Sequence, residues 1–166
     1  MKRVETIDRI GSPKVVLPLA MATAFLARRR GGSGRLALAV SVAIFTEEVL
    51  KRIVSRRRPR VHFFGRRRSF PSGHSAGSST YLTALALMAP PGAARWASLA
   101  ATGAAVGAIN VMRVREREHW VSDVVVGDVI GALALGGAHL AIERRASHVG
   151  LPPGLGDSAS RPRYRS

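Results

Sequence analysis

The sequence predicts an all-α fold, an integral-membrane helical bundle of about five transmembrane helices. Three observations predict it: the apolar residues gather into five runs, the arginines gather between those runs, and the runs lack the polar face of a surface helix. The runs are Val15 to Ala27, Leu36 to Leu50, Ser75 to Ala89, Trp96 to Met112 and Trp120 to Ile142. A helix needs about 20 apolar residues to cross a bilayer core. The last run meets that requirement alone. The other four meet it when their polar flanks extend the helix and long cations snorkel to the interface.

Each run carries its own signals. Met1-Lys2-Arg3 before the first run imitates a secretory signal, but Val4 to Lys14 is too polar and too long as an intervening stretch, so the run is expected to be retained. The second run ends with Glu47 and Glu48 placed four residues before Lys51 and Arg52, the spacing of helix ion pairs. The third opens at Pro71-Ser72-Gly73-His74, where Ser72 can cap the helix. Gly103 with Gly107 on the fourth, and Gly127 with Gly131 on the fifth, are pairs four apart that would let helices pack closely in lipid. Residues 1–145 are expected to form one membrane-embedded domain. Residues 146–166, rich in Arg, Ser, Gly and Pro, read as a disordered tail.

The net charge of +16 arises from 23 Arg and 3 Lys against 10 acids. Such a surplus attracts phosphates of any kind, whether nucleic acid, anionic headgroups or a phosphorylated substrate. With no cysteine, disulfides, thiolate metal sites and a cysteine nucleophile are excluded. Aromatics beside the arginine loop are few, only Phe63, Phe64 and Phe70, so a single-strand nucleic-acid partner is not expected. His62, His139 and His148 belong to no motif and read as surface or packing groups. Arg56, Arg57 and Arg66 to Arg68 read as a solvated basic loop that meets lipid headgroups and captures an anionic substrate.

Five spans joined by short loops alternate sides. The end of span two, the start of span three, the end of span four and the start of span five therefore share one face. The polar residues there are Lys51 and Arg58, then Ser72, Gly73 and His74, then Arg113, then His119 and Asp123. A phosphoryl group in transfer spreads charge over three oxygens, which preorganised cations and N–H donors stabilise. Lys51, Arg58 and Arg113 supply cations, Arg as a two-pronged fork. Ser72 and Gly73 open a helix whose backbone N–H groups face an anion. His119 and Asp123, four apart, lie on one helical face, so the carboxylate can hold the imidazole by one nitrogen while the other attacks. His74, from another helix, can protonate the departing alkoxide.

Lys51 with six residues before Arg58-Pro59, then Pro71-Ser72-Gly73-His74, then Arg113 with five residues before His119 and three more before Asp123, resembles the type 2 phosphatidic acid phosphatase family. The resemblance spans residues 36–142. It implies a helical protein acting on lipid phosphates or diphosphates without a metal or other cofactor. It also implies His119 as nucleophile, Asp123 as its orienting group, His74 as general acid, and Lys51, Arg58, Ser72, Gly73 and Arg113 as phosphate holders. The family usually has Ser where this chain has Met112, and commonly six spans where five are read here. Among small bacterial members the chain looks like those acting on polyprenyl-linked phosphates. An isoprenoid diphosphate or phosphatidylglycerol phosphate remains an alternative substrate. A non-catalytic basic membrane protein binding anionic lipid or nucleic acid is the rival of a different class.

Two expectations are left for the structure. Asp128, deep in the fifth run, marks either a structural hydrogen bond, to Asn110, or a functional role, because a carboxylate at that depth is costly. The site face carries 16 Lys and Arg and the opposite face 10, which leans the site toward the cytoplasm.

Overall fold

The structure, a computed structural model, describes residues 13–27, 33–59 and 68–148. Each of the five apolar runs is a helix: α1 (Pro13–Leu26), α2 (Ser33–Ile53), α3 (Gly73–Leu87), α4 (Ala93–Arg115) and α5 (Val121–His148). Among the described residues there is no strand, and one isolated bridge pairs Arg57 with Arg68. Two segments, Ala93–Arg115 and Val121–Arg145, are long and apolar enough to cross a bilayer, while Lys14–Leu26 is apolar but shorter. The N-terminal residues through Ser12, His62, Arg66, Arg67 and residues 149–166 of the expected tail lie outside the described residues. The first three positions of that tail continue α5.

The central helix is α3, against which α1, α2, α4 and α5 all pack. Small side chains make this possible, because Pro71 through Ser78 are all buried and none but His74 is large. One apolar cluster joins Val16 and Ala20 of α1, Leu36 and Val40 of α2, and Tyr81 and Ala84 of α3. A second joins Ala43, Ala76, Ile130 and Ala134 across α2, α3 and α5. At one end of the bundle Arg35 pairs with Glu143 at 2.9 Å, tying the start of α2 to the end of α5.

The two glycine pairs behave differently. A Cβ on Gly127 would stand 2.7 Å from Ser72 O and 2.8 Å from Ser75 Cβ, and one on Gly131 would stand 2.8 Å from Thr80 Oγ1. That is the close helix approach expected of such a pair. Around Gly103 and Gly107 nothing lies within 4 Å of an added Cβ. The expectation of close packing there is corrected: α4 leans on α3, touches α5 little, and leaves its glycine face open.

Polar residues are enclosed beside the apolar clusters, and large apolar residues lie on the outside. Phe25, Leu26, Phe45, Trp96 and Leu133 are each at least 65% exposed, while Ser72, Ser75, Thr80, Glu47 and Asp123 are fully enclosed. With the two helices long and apolar enough to cross a bilayer, large apolar side chains facing outward in this number point to a membrane protein.

Candidate active site

The connection after α2, the N-terminus of α3, the end of α4 and the start of α5 meet at the other end of the bundle. Local rules set each piece. Ser72, with extended backbone (φ −77°, ψ 110°), caps α3 by accepting from Ser75 N–H at 3.3 Å, and its own N–H donates to Asp123 O at 3.0 Å. The α4 helix ends in a turn where Arg117 takes a positive φ of 56°. There the N–H groups of Glu118 and His119 both donate to Arg113 O, at 3.1 and 3.3 Å. Asp123 then starts α5 by accepting the Trp120 N–H at 2.9 Å, the reciprocal half of a capping arrangement.

His119 is 3% exposed and sits under this junction. Its Nδ1 lies 2.8 Å from Ser69 O. A carbonyl only accepts, so Nδ1 carries the proton and Nε2 carries the lone pair. Burial, then the positive charge of Arg58, lower the pKa of this imidazole from 6.5 to about 3, with His74 and Lys51 acting in the same direction and the Ser69 contact opposing. The ring is therefore neutral at physiological pH.

The expected His119–Asp123 hydrogen bond is not the one formed. Asp123 Oδ2 stands 3.7 Å from Nδ1, close enough for charge but too far for a hydrogen bond. The carboxylate is committed elsewhere: Oδ1 accepts from Arg56 at 2.8 Å, and Oδ2 accepts the Trp120 N–H. Arg56 also donates to Ser122 Oγ at 2.6 Å and lies over the Trp120 ring at 5.4 Å. Arg56 is thus more than part of a solvated loop, since it fixes the first turn of α5.

The three expected phosphate cations are present, and each is held by a carboxylate. Arg58 donates to Glu118 Oε2 at 2.5 Å and to Glu118 O at 3.1 Å. Arg113, 2% exposed, pairs with Glu116 at 2.8 Å. Lys51 pairs with Glu47, whose side chain is fully buried. His74 is buried in the first turn of α3, near enough to His119 for their charges to interact. Gly73 begins that turn, beside the Ser72 cap. Met112, where the resembled family usually has Ser, offers no hydroxyl. Among the described residues no three His, Asp or Glu are grouped to hold a metal ion.

Sequence reasoning did not single out Ser69 or Glu118, and it read Arg56 only as part of a basic loop. Ser69 acts through its carbonyl, which every residue has, and Arg56 is one of three consecutive arginines. Glu118 was the accessible one, an acid directly beside the histidine and within the stretch from Arg113 to His119.

Among the described residues, helix ends gather two histidines, three cations and a helix N-terminus, groups whose chemistry can stabilise a phosphoryl group. The sequence pattern of the PAP2 superfamily matches residues 33–147, and the chain belongs to that superfamily, whose members are phosphatases. No match was found among curated proteins or among solved structures.

Proposed function

We propose that this protein is a multi-pass membrane phosphatase that removes phosphate from a lipid phosphate monoester through a phosphohistidine. The observation that carries it is the neutral His119 ring, whose proton is held on Nδ1 by Ser69 O so that Nε2 keeps the lone pair, in a site where Arg58, His74 and Lys51 lie near enough to act on the ring by charge. Nε2 attacks phosphorus, the bond from phosphorus to the lipid oxygen breaks, and His74 gives the departing oxygen its proton. A water then loses a proton to His74 and attacks phosphorus, and the P–N bond returns its electron pair to Nε2. Lys51, Arg58, Arg113, the Ser72 hydroxyl and the N–H groups at Gly73 stabilise the equatorial oxygens. Asp123 steadies the region by fixing α5 and by its charge near Nδ1.

The outward-facing apolar surface supports placement of all five helices in a bilayer, and the surplus of cations at the site end leans that end to the cytoplasm. The substrate is a polyprenyl-linked or glycerol-based phosphate. Decaprenylphosphoryl-5-phosphoribose, a precursor of cell-wall arabinan, is one candidate, and isoprenoid diphosphate or phosphatidylglycerol phosphate is the alternative. The cations supply the charge stabilisation, so no metal is required.

Purified protein in detergent is expected to release phosphate from such lipids in the presence of EDTA and to be inhibited by vanadate. Arg113→Ala is expected to lower the rate on the order of 10²- to 10³-fold. His119→Ala should abolish phosphate release, and a His119→Ala variant as active as the parent would remove the basis of the mechanism.

A further inference from the structure

An open cleft of about 380 Å³ lies between α3, α4 and α5, over the glycine face of α4, and is lined along that helix by Leu99, Val106, Gly107 and Asn110. Through most of its length α4 therefore packs little on α5. Yet the end of α4 carries Arg113, which must keep a fixed distance from Ser72 on α3 and from His119 before α5 if all three are to meet one phosphate. Little apolar contact is there to set that distance.

The polar end of the cleft supplies a tie. Asn110 Oδ1 accepts the Ser75 hydroxyl of α3 at 2.7 Å, and Asn110 Nδ2 donates to Asp128 Oδ2 of α5 at 2.5 Å. One amide thus joins three helices. Each of the three residues stands within about a turn and a half of a site residue on its own segment: Asn110 three before Arg113, Ser75 three after Ser72, and Asp128 five after Asp123. Ser75 also meets the Ser72 cap directly, with its N–H 3.3 Å and its hydroxyl 3.0 Å from Ser72 Oγ.

Charge gives the tie a direction. A carboxylate only accepts, so Asp128 holds the amide by its NH₂ end and leaves the carbonyl end toward Ser75, whose hydroxyl can donate. A neutral amide at position 128 could face Asn110 with either end and would not orient it. Asp128 is itself held from within the bundle, with the Ser79 hydroxyl of α3 beside its carboxylate. This is the Asn110–Asp128 bond that the sequence raised, and its place beneath the site decides what it is for. Interhelical hydrogen bonds add only modestly to the stability of a membrane bundle. A small displacement of a group that contacts the transition state, by contrast, costs much in rate.

We infer that Asn110 and Asp128 are positioning residues: Asp128 orients the Asn110 amide, and the amide locks the Arg113 end of α4 to the first turn of α3 and to α5. The inference rests on the phosphatase reading and adds to it two residues that do not touch the substrate.

The experiment is a double-mutant cycle in detergent, with kcat and KM measured on the fastest of phosphatidic acid, phosphatidylglycerol phosphate and prenyl phosphate. Asp128→Asn and Asn110→Ala are each expected to lower kcat about 10- to 100-fold, with a smaller change in KM. Placed on Arg113→Ala, the same substitutions are expected to cost about twofold or less, because the group they aim is already gone. The exchanged pair, Asn110→Asp with Asp128→Asn, again sets an amide NH₂ against a carboxylate and an acceptor against Ser75, and should recover most of the parent kcat. Losses that multiply with Arg113→Ala, or an exchanged pair no better than Asp128→Asn alone, overturn the inference and leave the phosphatase reading intact. Single variants that no longer fold in detergent, judged by thermal unfolding, also overturn it, since the bond would then hold the bundle and not the site. A parent that hydrolyses none of the three lipids removes both proposals.

Discussion

The glycine face of α5 and the glycine face of α4 carry the same sequence signature and have opposite surroundings. Gly127 and Gly131 are pressed against α3 so closely that a methyl group on Gly127 would collide with the backbone of the Ser72 turn. Gly103 and Gly107 face space. A small residue every fourth position thus permits close approach without dictating it. What decides is the partner: α3 offers Ser72, Ser75 and Ala76 to α5, whereas α4 is held at its end by the Ser75–Asn110 bond and diverges from α5. One face builds the site by closeness, and the other leaves room beside it.

The most disruptive way to test this contrast is Gly127→Ala. The added methyl must displace the turn bearing Ser72, Gly73 and His74, so overpacking should cost about 1–3 kcal/mol. Misplacing reacting groups by about 1 Å should lower turnover on the order of 10²-fold. Thermal unfolding in detergent and phosphate release measure the two effects, and normal values for both would mean the faces are equivalent.

Closeness also dries the site, which the ionisation of His119 reports. Its ring should stay neutral as pH falls through 6.5 and take up a proton only toward 3, seen in the ¹⁵N imidazole resonances. An unfolded chain binds that proton from about 6.5 downward. The contribution of His119 to stability is therefore complete above 6.5 and declines as pH falls toward 3. Arg58→Gln should raise the His119 pKa, but leave it below 6.5 because burial is the larger cause.

The smallest effect belongs to the open face. Gly103→Ala and Gly107→Ala meet no neighbour and remove helix-interior glycines, so each should stabilise by about 0.5–1 kcal/mol. A marked loss in the same unfolding measurement would reveal a packing partner there.

Much of this molecule is legible before folding, and what is not has a physical reason. The five apolar runs become helices because their hydrophobic residues are contiguous and turn-forming or charged residues interrupt them. Spacing also puts Arg113, His119 and Asp123 at the junction of α4 and α5, where the His119 N–H donates to Arg113 O and Asp123 Oδ2 lies 3.7 Å from His119 Nδ1. The hydrogen-bond partner of His119 is not legible, since the competition between Ser69 O and Asp123 is settled by Arg56 and the Trp120 N–H drawing the carboxylate away. Nor is the cleft, which depends on the lean of α4 rather than on any one residue. Asn110 and Asp128 lie eighteen positions apart, and their pairing was foreseeable only because depth in an apolar helix obliges each to find a polar neighbour.

The carboxylates that occupy the cations have a consequence for the catalytic cycle. Arg58, Arg113 and Lys51 keep Glu118, Glu116 and Glu47 as internal counterions. In the proposed reaction an incoming phosphate would share these cations with the glutamates or displace them, because each guanidinium has more N–H donors than its glutamate uses. A phosphate dianion, with more charge and more acceptor oxygens, competes well in that exchange, while chloride or a lone lipid carboxylate gains little by it. The same tethered acids stand ready to reclaim their partners once the ester bond is broken. In the phosphatase proposed above, the glutamates would act as exchangeable counterions when phosphate enters and when it leaves.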